Sequence, residues 1–398
     1  MINVLGNDKT KEYIVKRELE FDSGDWVLRE ELNQARLRII NLNIFNNVEF
    51  YFDENGDSFN LNIIVYERWY VFPTPIFFVN ERDWDKLSYG FGVSHSNFRG
   101  RAEQLWLSGW FGYNPGFSIN YFNRWFAGNR RLYMQFSMFS QTINTKSFQF
   151  LGEDEKHRWA SLAFGRRFGL HWYLNTTVGV NLISTTNRNM LWQSSDNNDK
   201  VVTWQIMIRH DTRDLREYPK NGANRRISMF HNRLLNGGSS YNLWTADFRE
   251  YRSVKGIIFA GRIATSITQN RLPSYRRVYL GYRERIRGYF DRVVEGHNRL
   301  VASAEIRVPL FRERLIPLSS DSWYYSFIQF IKFGMYLTAF YDTGAIWDQD
   351  EKLSSTNFLK GKGIGLNVLL PYSTILRFER AYNEDGIGEN IFDFQIAF

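Results

Sequence analysis

The sequence predicts a mainly β protein: a small α+β domain over residues 1–67, then a 16-strand antiparallel transmembrane β-barrel over residues 68–398. Three observations lead there. Helical spacing of apolar residues is confined to the first 67 residues, and two-residue alternation recurs from Trp69 onward. The chain closes on FDFQIAF, an alternating strand that ends in an aromatic residue.

The elements of the first part follow from local pattern. INVL reads as an opening strand. Asn7, Asp8 and Thr10 stand where they could cap a helix carrying Ile14, Val15 and Leu19. Asp25 is placed to cap a second helix, whose Leu28, Leu32, Ala35, Ile39 and Leu42 fall on one face. VEFYF then alternates, with Val48, Phe50 and Phe52 on one side. DENGDS carries an Asn-Gly turn, and FNLNIIV alternates through Phe59, Leu61, Ile63 and Val65. The order is β-α-α-β-β.

In the second part, WYLNTTVGVNL sets Trp172, Leu174, Thr176, Val178, Val180 and Leu182 opposite Tyr173, Asn175, Thr177, Gly179 and Asn181. LVASAEIRVPL sets Leu300, Ala302, Ala304, Ile306, Val308 and Leu310 opposite Val301, Ser303, Glu305 and Arg307. MYLTAFYD sets Met335, Leu337, Ala339 and Tyr341 opposite Tyr336, Thr338, Phe340 and Asp342. A soluble sandwich also alternates. The barrel is preferred because the region runs to about 330 residues, Trp and Tyr recur near strand ends, and connections alternate between short and long. Roughly 20 residues per strand and connection gives about 16 strands. In the last strand Phe392, Phe394, Ile396 and Phe398 share one face.

Composition agrees. Aromatic residues make up 17% and hydrophobic residues 43%, which excludes a disordered chain, and no apolar run is long enough for a transmembrane helix. A mean hydropathy of −0.41 is compatible with a spanning barrel, in which lipid-facing and lumen-facing residues average out. The lack of cysteine suits an envelope protein. Met1 leads directly into INVLGN without a signal peptide, so the chain reads as mature or trimmed at its start. The net charge of +8 is spread along the chain and not gathered in one segment, which argues against a nucleic-acid partner.

Signs of chemistry are few. GxSxG, HExxH and P-loop motifs are absent, and His95, His157, His171, His210, His231 and His297 lack metal-ligand spacing. His210-Asp211 resembles a hydrolase dyad only in composition; it precedes a Pro-Gly turn, where a structural role is the default. The expectation is no enzyme, no cofactor and no metal.

SNFRGRAE, DTRDLREYPKNG, IRGY and FYDTG follow the β-α-α-β-β unit in that order, and together they resemble the BamA/TamA outer-membrane assembly family of the bacterial surface antigen type, whose members join periplasmic POTRA domains to a 16-strand barrel. Residues 1–67 are similar to a POTRA domain in element order, in Gly6 and Thr10, in Gly24, and in Phe45 and Val48. SNFRGRAE is similar to an early barrel segment, and DTRDLREYPKNG to a hairpin carrying Asp211, Arg213, Asp214, Pro219 and Gly222. IRGY (Ile286, Arg287, Gly288, Tyr289) resembles the family's lumen-loop motif, and FYDTG, with Phe340, Asp342 and Gly344, its strand motif. Only one POTRA-like unit is visible, which departs from the several usual in assembly factors.

The resemblance implies that the loop carrying RERIRGYF (Arg283 to Phe290) folds back into the barrel and that Arg287 meets Asp342 and Glu305, two acids that alternation already turns inward. A guanidinium fork suits two carboxylates. Arg283 and Arg285 are left as lumen or rim charges, or as contacts to lipopolysaccharide. The implied function is insertion of outer-membrane β-barrel clients through a lateral seam between the first barrel strand, near PTPIFFV, and the last. The POTRA domain would lie in the periplasm, and the partners would be unfolded clients, outer-membrane lipids and accessory lipoproteins. The alternative is a polypeptide secretion pore of the two-partner type. A passive porin fits poorly with a loop tied into the lumen, and a soluble nucleic-acid binder comes last.

Overall fold

The computed structural model describes residues 1–56, 58–80, 84–128, 132–191, 198–237, 239–282, 284–289, 292–317, 330–354, 358–371 and 374–396. Its N-terminal domain contains β1 (Ile2–Leu5), α1 (Glu12–Lys16), α2 (Arg29–Ile40), β2 (Phe45–Asn55) and β3 (Ser58–Glu67). The three strands form one sheet in the order β1-β3-β2, with β1 parallel and β2 antiparallel to β3. Ile14, Val15, Ala35, Ile39, Val48 and Ile63 are wholly buried between helices and sheet. Gly6 turns the chain after β1 at φ +77°, and a Cβ there would lie 2.3 Å from the Val65 carbonyl oxygen.

The predicted caps are corrected. α1 starts after Lys11 without a side-chain cap, because Thr10 is turned away to meet the Tyr70 hydroxyl at 2.9 Å. α2 starts after Leu28, whose backbone N–H donates to the Glu31 carboxylate at 2.8 Å, while Asp25 instead accepts from the backbone of Asp22. Phe52 and Phe59 are exposed, so the predicted apolar faces of β2 and β3 are buried only toward the helices.

The remainder is a 16-stranded antiparallel sheet. Its first strands are β4 (Val71–Val79), β5 (Leu87–Phe98), β6 (Glu103–Gly112), β7 (Gly116–Asn123), β8 (Leu132–Asn144) and β9 (Asp154–Phe168). Then come β10 (Trp172–Thr185), β11 (Asn198–Asp211), β12 (Gly222–Leu234), β13 (Ser240–Val254) and β14 (Ile257–Gln269). A short hairpin, β15 (Val278–Leu280) with β16 (Val294–Gly296), stands apart from the sheet. The sheet resumes with β17 (Asn298–Pro317), β18 (Phe330–Trp347), β19 (Leu359–Leu370), β20 (Thr374–Tyr382) and β21 (Gly388–Ile396).

Each sheet strand pairs with its neighbour in sequence, except that β14 pairs with β17 across the hairpin. Among the described residues no ladder joins β4 to β21, the two ends of the sheet. Nor, among these residues, is any helix long and apolar enough to cross a membrane.

Alternation sorts the faces. On β18, Leu337 and Tyr341 are exposed, whereas Tyr336, Thr338, Phe340 and Asp342 are buried. On β10, Leu174, Val178 and Val180 are exposed and Asn175 and Asn181 buried. An apolar outer face opposite a polar inner face is the inverse of a soluble protein, and it suits a lipid surround.

The N-terminal domain docks on the rim that carries the β5–β6 and β11–β12 turns. The Lys11 N–H donates to the Gly100 carbonyl at 2.9 Å, and the Asn97 amide donates to Thr10 Oγ1 at 2.9 Å. A Cβ on Gly100, at φ +70°, would fall 2.2 Å from the Lys9 carbonyl oxygen. The NFRG segment thus forms a seat for the domain.

Candidate functional site

The long connection between β14 and β17 folds back into the sheet's interior from the rim opposite the domain. Gly288 reverses it at φ +101°; a Cβ there would stand 2.9 Å from the Tyr382 carbonyl group. The Gly288 N–H donates to Glu389 Oε1 at 2.6 Å. Ile286 and Tyr289 are buried in an apolar cluster with Leu280, Val301, Ile346 and Leu359. Gly344 leaves room for this packing, since a Cβ on it would lie 2.9 Å from Ile286 Cδ1.

That turn aims Arg287 at the inner wall. Its Nε donates to Asp342 Oδ2 at 2.6 Å and its Nη2 to Asp342 Oδ1 at 2.8 Å, a bidentate fork. Nη1 donates to Glu379 Oε1 at 2.9 Å and to Glu305 Oε2 at 3.4 Å. The guanidinium carbon lies 3.5 Å from the centre of the Phe340 ring, so a π face covers it while three acids hold its edges. Ser303, directly opposite Asp342 in the β17–β18 register, donates to Asp342 Oδ1 at 2.5 Å. The surrounding carboxylates, acting against the desolvation that burial imposes, raise the Arg287 pKa above its ordinary value. The arrangement is a fixed electrostatic clamp.

The structure therefore brings Ile286, Arg287, Gly288, Tyr289, Asp342, Glu305, Phe340 and Gly344 together. Glu305 is the outer member: Arg307 holds its other oxygen at 2.6 Å. Arg285 lines the cavity beside the loop, and Arg283 lies outside the described residues. Phe392 is exposed on the outer face of β21, where it meets Phe378 with ring centres 5.0 Å apart. Phe394 and Ile396 belong to β21, and Phe398 lies outside the described residues.

Sequence reading missed three contributors: Glu379, Ser303 and Gly361. A Cβ on Gly361 would sit 1.7 Å from the Arg287 carbonyl oxygen, so the loop rests against bare backbone there. Ser303 was already on the inward face by alternation, and Glu379 sits between Arg377 and Ala381 in a segment of the same two-residue pattern.

His210 and Asp211 do not form a dyad. His210 stacks on Trp172 at 4.4 Å, while Asp211 takes Arg213 Nε and Nη2 at 2.8 and 2.9 Å. Neighbours on a strand face opposite ways. Among the described residues no cluster of His, Asp and Glu could hold a metal ion.

Comparison with known proteins adds a second line. Residues 97–398 match the family described as the Omp85 superfamily domain, and residues 1–68 match POTRA, described as a surface antigen variable number repeat. No curated protein matches the chain by sequence. Among solved structures, BamA from Haemophilus ducreyi lacking POTRA domains 1–3 is similar over 99% of this chain and 82% of its own, with a TM-score of 0.60 at 16% identity. CdiB from Escherichia coli is similar over 99% of this chain and 74% of its own, with a TM-score of 0.63 at 13% identity. CdiB from Acinetobacter baumannii covers 99% and 72%, with a TM-score of 0.56 at 17% identity. At these identities the likeness is one of fold.

Proposed function

The chain belongs to the Omp85 superfamily of outer-membrane β-barrel proteins, and on that footing we propose that it is an assembly factor that inserts β-barrel clients through the seam between β4 and β21. In this reading the POTRA domain faces the periplasm and receives unfolded clients by strand addition to a sheet edge. The client's own folding in the bilayer drives insertion, and no nucleotide or cofactor is needed.

The observation that carries the proposal is the seam, where no ladder joins β4 to β21 among the described residues. Edges are costly in lipid, because backbone N–H and C=O groups there have no water to satisfy them. A client strand that pairs with such an edge relieves that cost. The Arg287 clamp supports the reading from the other side, since a loop fixed across the interior leaves lateral exit as the freer route.

A second reading, polypeptide secretion through the interior, is favoured by one feature: a cavity of about 1450 Å³ opens on the domain side of the sheet. The test uses the absence of native cysteine. Cysteine pairs introduced across residues 73–77 and 391–395 would lock the seam on oxidation. Client insertion should stop when the seam is oxidised and return on reduction. Unchanged insertion with a locked seam would overturn the assembly reading. Export of a polypeptide that continues through the locked barrel would put secretion in its place.

A further inference from the structure

The cavity on the domain side holds a charge imbalance that the Arg287 clamp does not explain. Its described lining includes twelve cationic side chains against six acidic ones. The imbalance is sharpest where the N-terminal domain meets the rim, at six arginines served by two carboxylates. Glu18, at the end of α1, takes Arg167 Nη1 at 3.2 Å and stands 3.9 Å from Arg17 Nε. Asp211 is shared by Arg213, Arg209 and, at 4.0 Å, Arg216. The Trp125 ring lies 4.5 Å from the Arg17 guanidinium and 5.4 Å from that of Arg167.

Arg124, in the β7–β8 turn, has no ion pair or hydrogen bond among the described residues, and its Nε is buried without a partner. Burial first, and then the nearby Arg216 charge, push its pKa down to about 10, so it remains charged at neutral pH. A half-buried cation without an ion pair, beside other cations, opposes folding, so stability alone does not account for it. Glu18 offsets part of this, but its contacts are made with Arg167 and Arg17. Asp214 is taken up by backbone N–H groups of its own turn, and Glu217 and Glu313 are each paired with a lysine.

The space is far larger than one carboxylate or phosphate needs, and the cations are spread over the wall and not focused on a point. Amide side chains such as Gln135 and Gln205 also line the space and could meet a peptide backbone. We propose that this vestibule binds an acidic stretch of an extended polypeptide, with Arg124, Arg167 and Arg216 taking its carboxylates. The proposal rests on the reading that client chains pass from the POTRA domain to the barrel, and it names the client feature recognised there.

The test uses the full chain in detergent and fluorescent peptides of equal length, one rich in Asp and Glu and one with Asn and Gln in their place, beside a single-stranded oligonucleotide of similar charge. The acidic peptide should bind, more weakly as salt screens the cations. Arg124→Gln should weaken binding by about ten-fold, as loss of one charge-assisted contact implies, and should also raise the thermal midpoint by removing the unpaired charge. Should Arg124→Gln fail to fold, Arg216→Gln at the more exposed edge carries the same binding test. Equal binding of the neutral peptide, or unchanged binding in these variants, would overturn the proposal. So would an oligonucleotide that binds in place of the acidic peptide. Client insertion measured in parallel separates the two claims. Insertion without acidic-peptide binding removes this site alone, whereas peptide binding without insertion or export removes the function reading and leaves the site.

Discussion

Removing the guanidinium of Arg287 would leave Asp342, Glu379 and Glu305 facing one another across the interior. In a water-filled lumen such a pairing would be worth about 1–3 kcal/mol. The side chains of Arg287, Asp342 and Glu379 are only 14%, 7% and 5% exposed, so Arg287→Ala should cost closer to the roughly 3–5 kcal/mol of a broken buried pair. A double-mutant cycle of Arg287→Ala with Asp342→Ala, read in barrel unfolding, should show strong coupling, and the same cycle with Glu305→Ala a smaller one, because Glu305 keeps Arg307. Arg287→Lys should restore part of the stability, since an ammonium cannot form the fork. Strictly additive Arg287 and Asp342 effects would mean the short contacts carry no energy. Arg287, Asp342 and Glu305 were legible because alternation and motif converged on them. Glu379 and Gly361 were not, because only the docking of the loop, a contact between distant segments, brings them to the site.

At the scale of the element, β4 carries Pro73 and Pro75, two residues apart, so both ring nitrogens point to the same edge. The ladder to β5 runs unbroken through them, with Pro73 opposite Val93 and Pro75 opposite Phe91. A proline is tolerated in a strand only where its missing N–H faces away from the partner. The nitrogens therefore face the seam, which lacks two donors in the middle of the strand. PTPIFFV marks the seam in the sequence, but the edge its prolines face is set by the pairing and not by the sequence. Replacing both prolines with valine should restore the donors and strengthen β4–β21 pairing. Slower amide exchange in β4, a higher thermal midpoint and slower client insertion are expected. Faster insertion in a barrel with tighter seam protection would contradict the role given to the open edge. The helix starts were misread for a related reason: Thr10 had the composition of a cap, but its hydroxyl was claimed by Tyr70 and Asn97 from the barrel side.

Across the whole molecule, the N-terminal domain and the sheet share polar contacts that neither part could satisfy alone. Thr10, Tyr70 and Asn97 form a buried hydrogen-bonded set, and the Asn41 amide donates to the Asp214 carbonyl at 3.0 Å. Glu18 belongs to the domain, yet its partner Arg167 lies on β9. Gly100 is the tightest point of the joint, since its φ of +70° and the Lys9 carbonyl both exclude a side chain. Gly100→Ala should therefore move the domain off its seat without disturbing the apolar core of either part. The barrel should keep its β circular dichroism, while a protease should cut the 68–70 junction faster than in the parent. Client insertion should fall if the domain must deliver chains to a fixed place on the rim. A Gly100→Ala protein with parental junction protection would show that the seat tolerates a Cβ and that the domain is held chiefly by Glu18 and Asn41. Glu18→Gln, which leaves Arg167 without its carboxylate, would then be the variant that frees the junction.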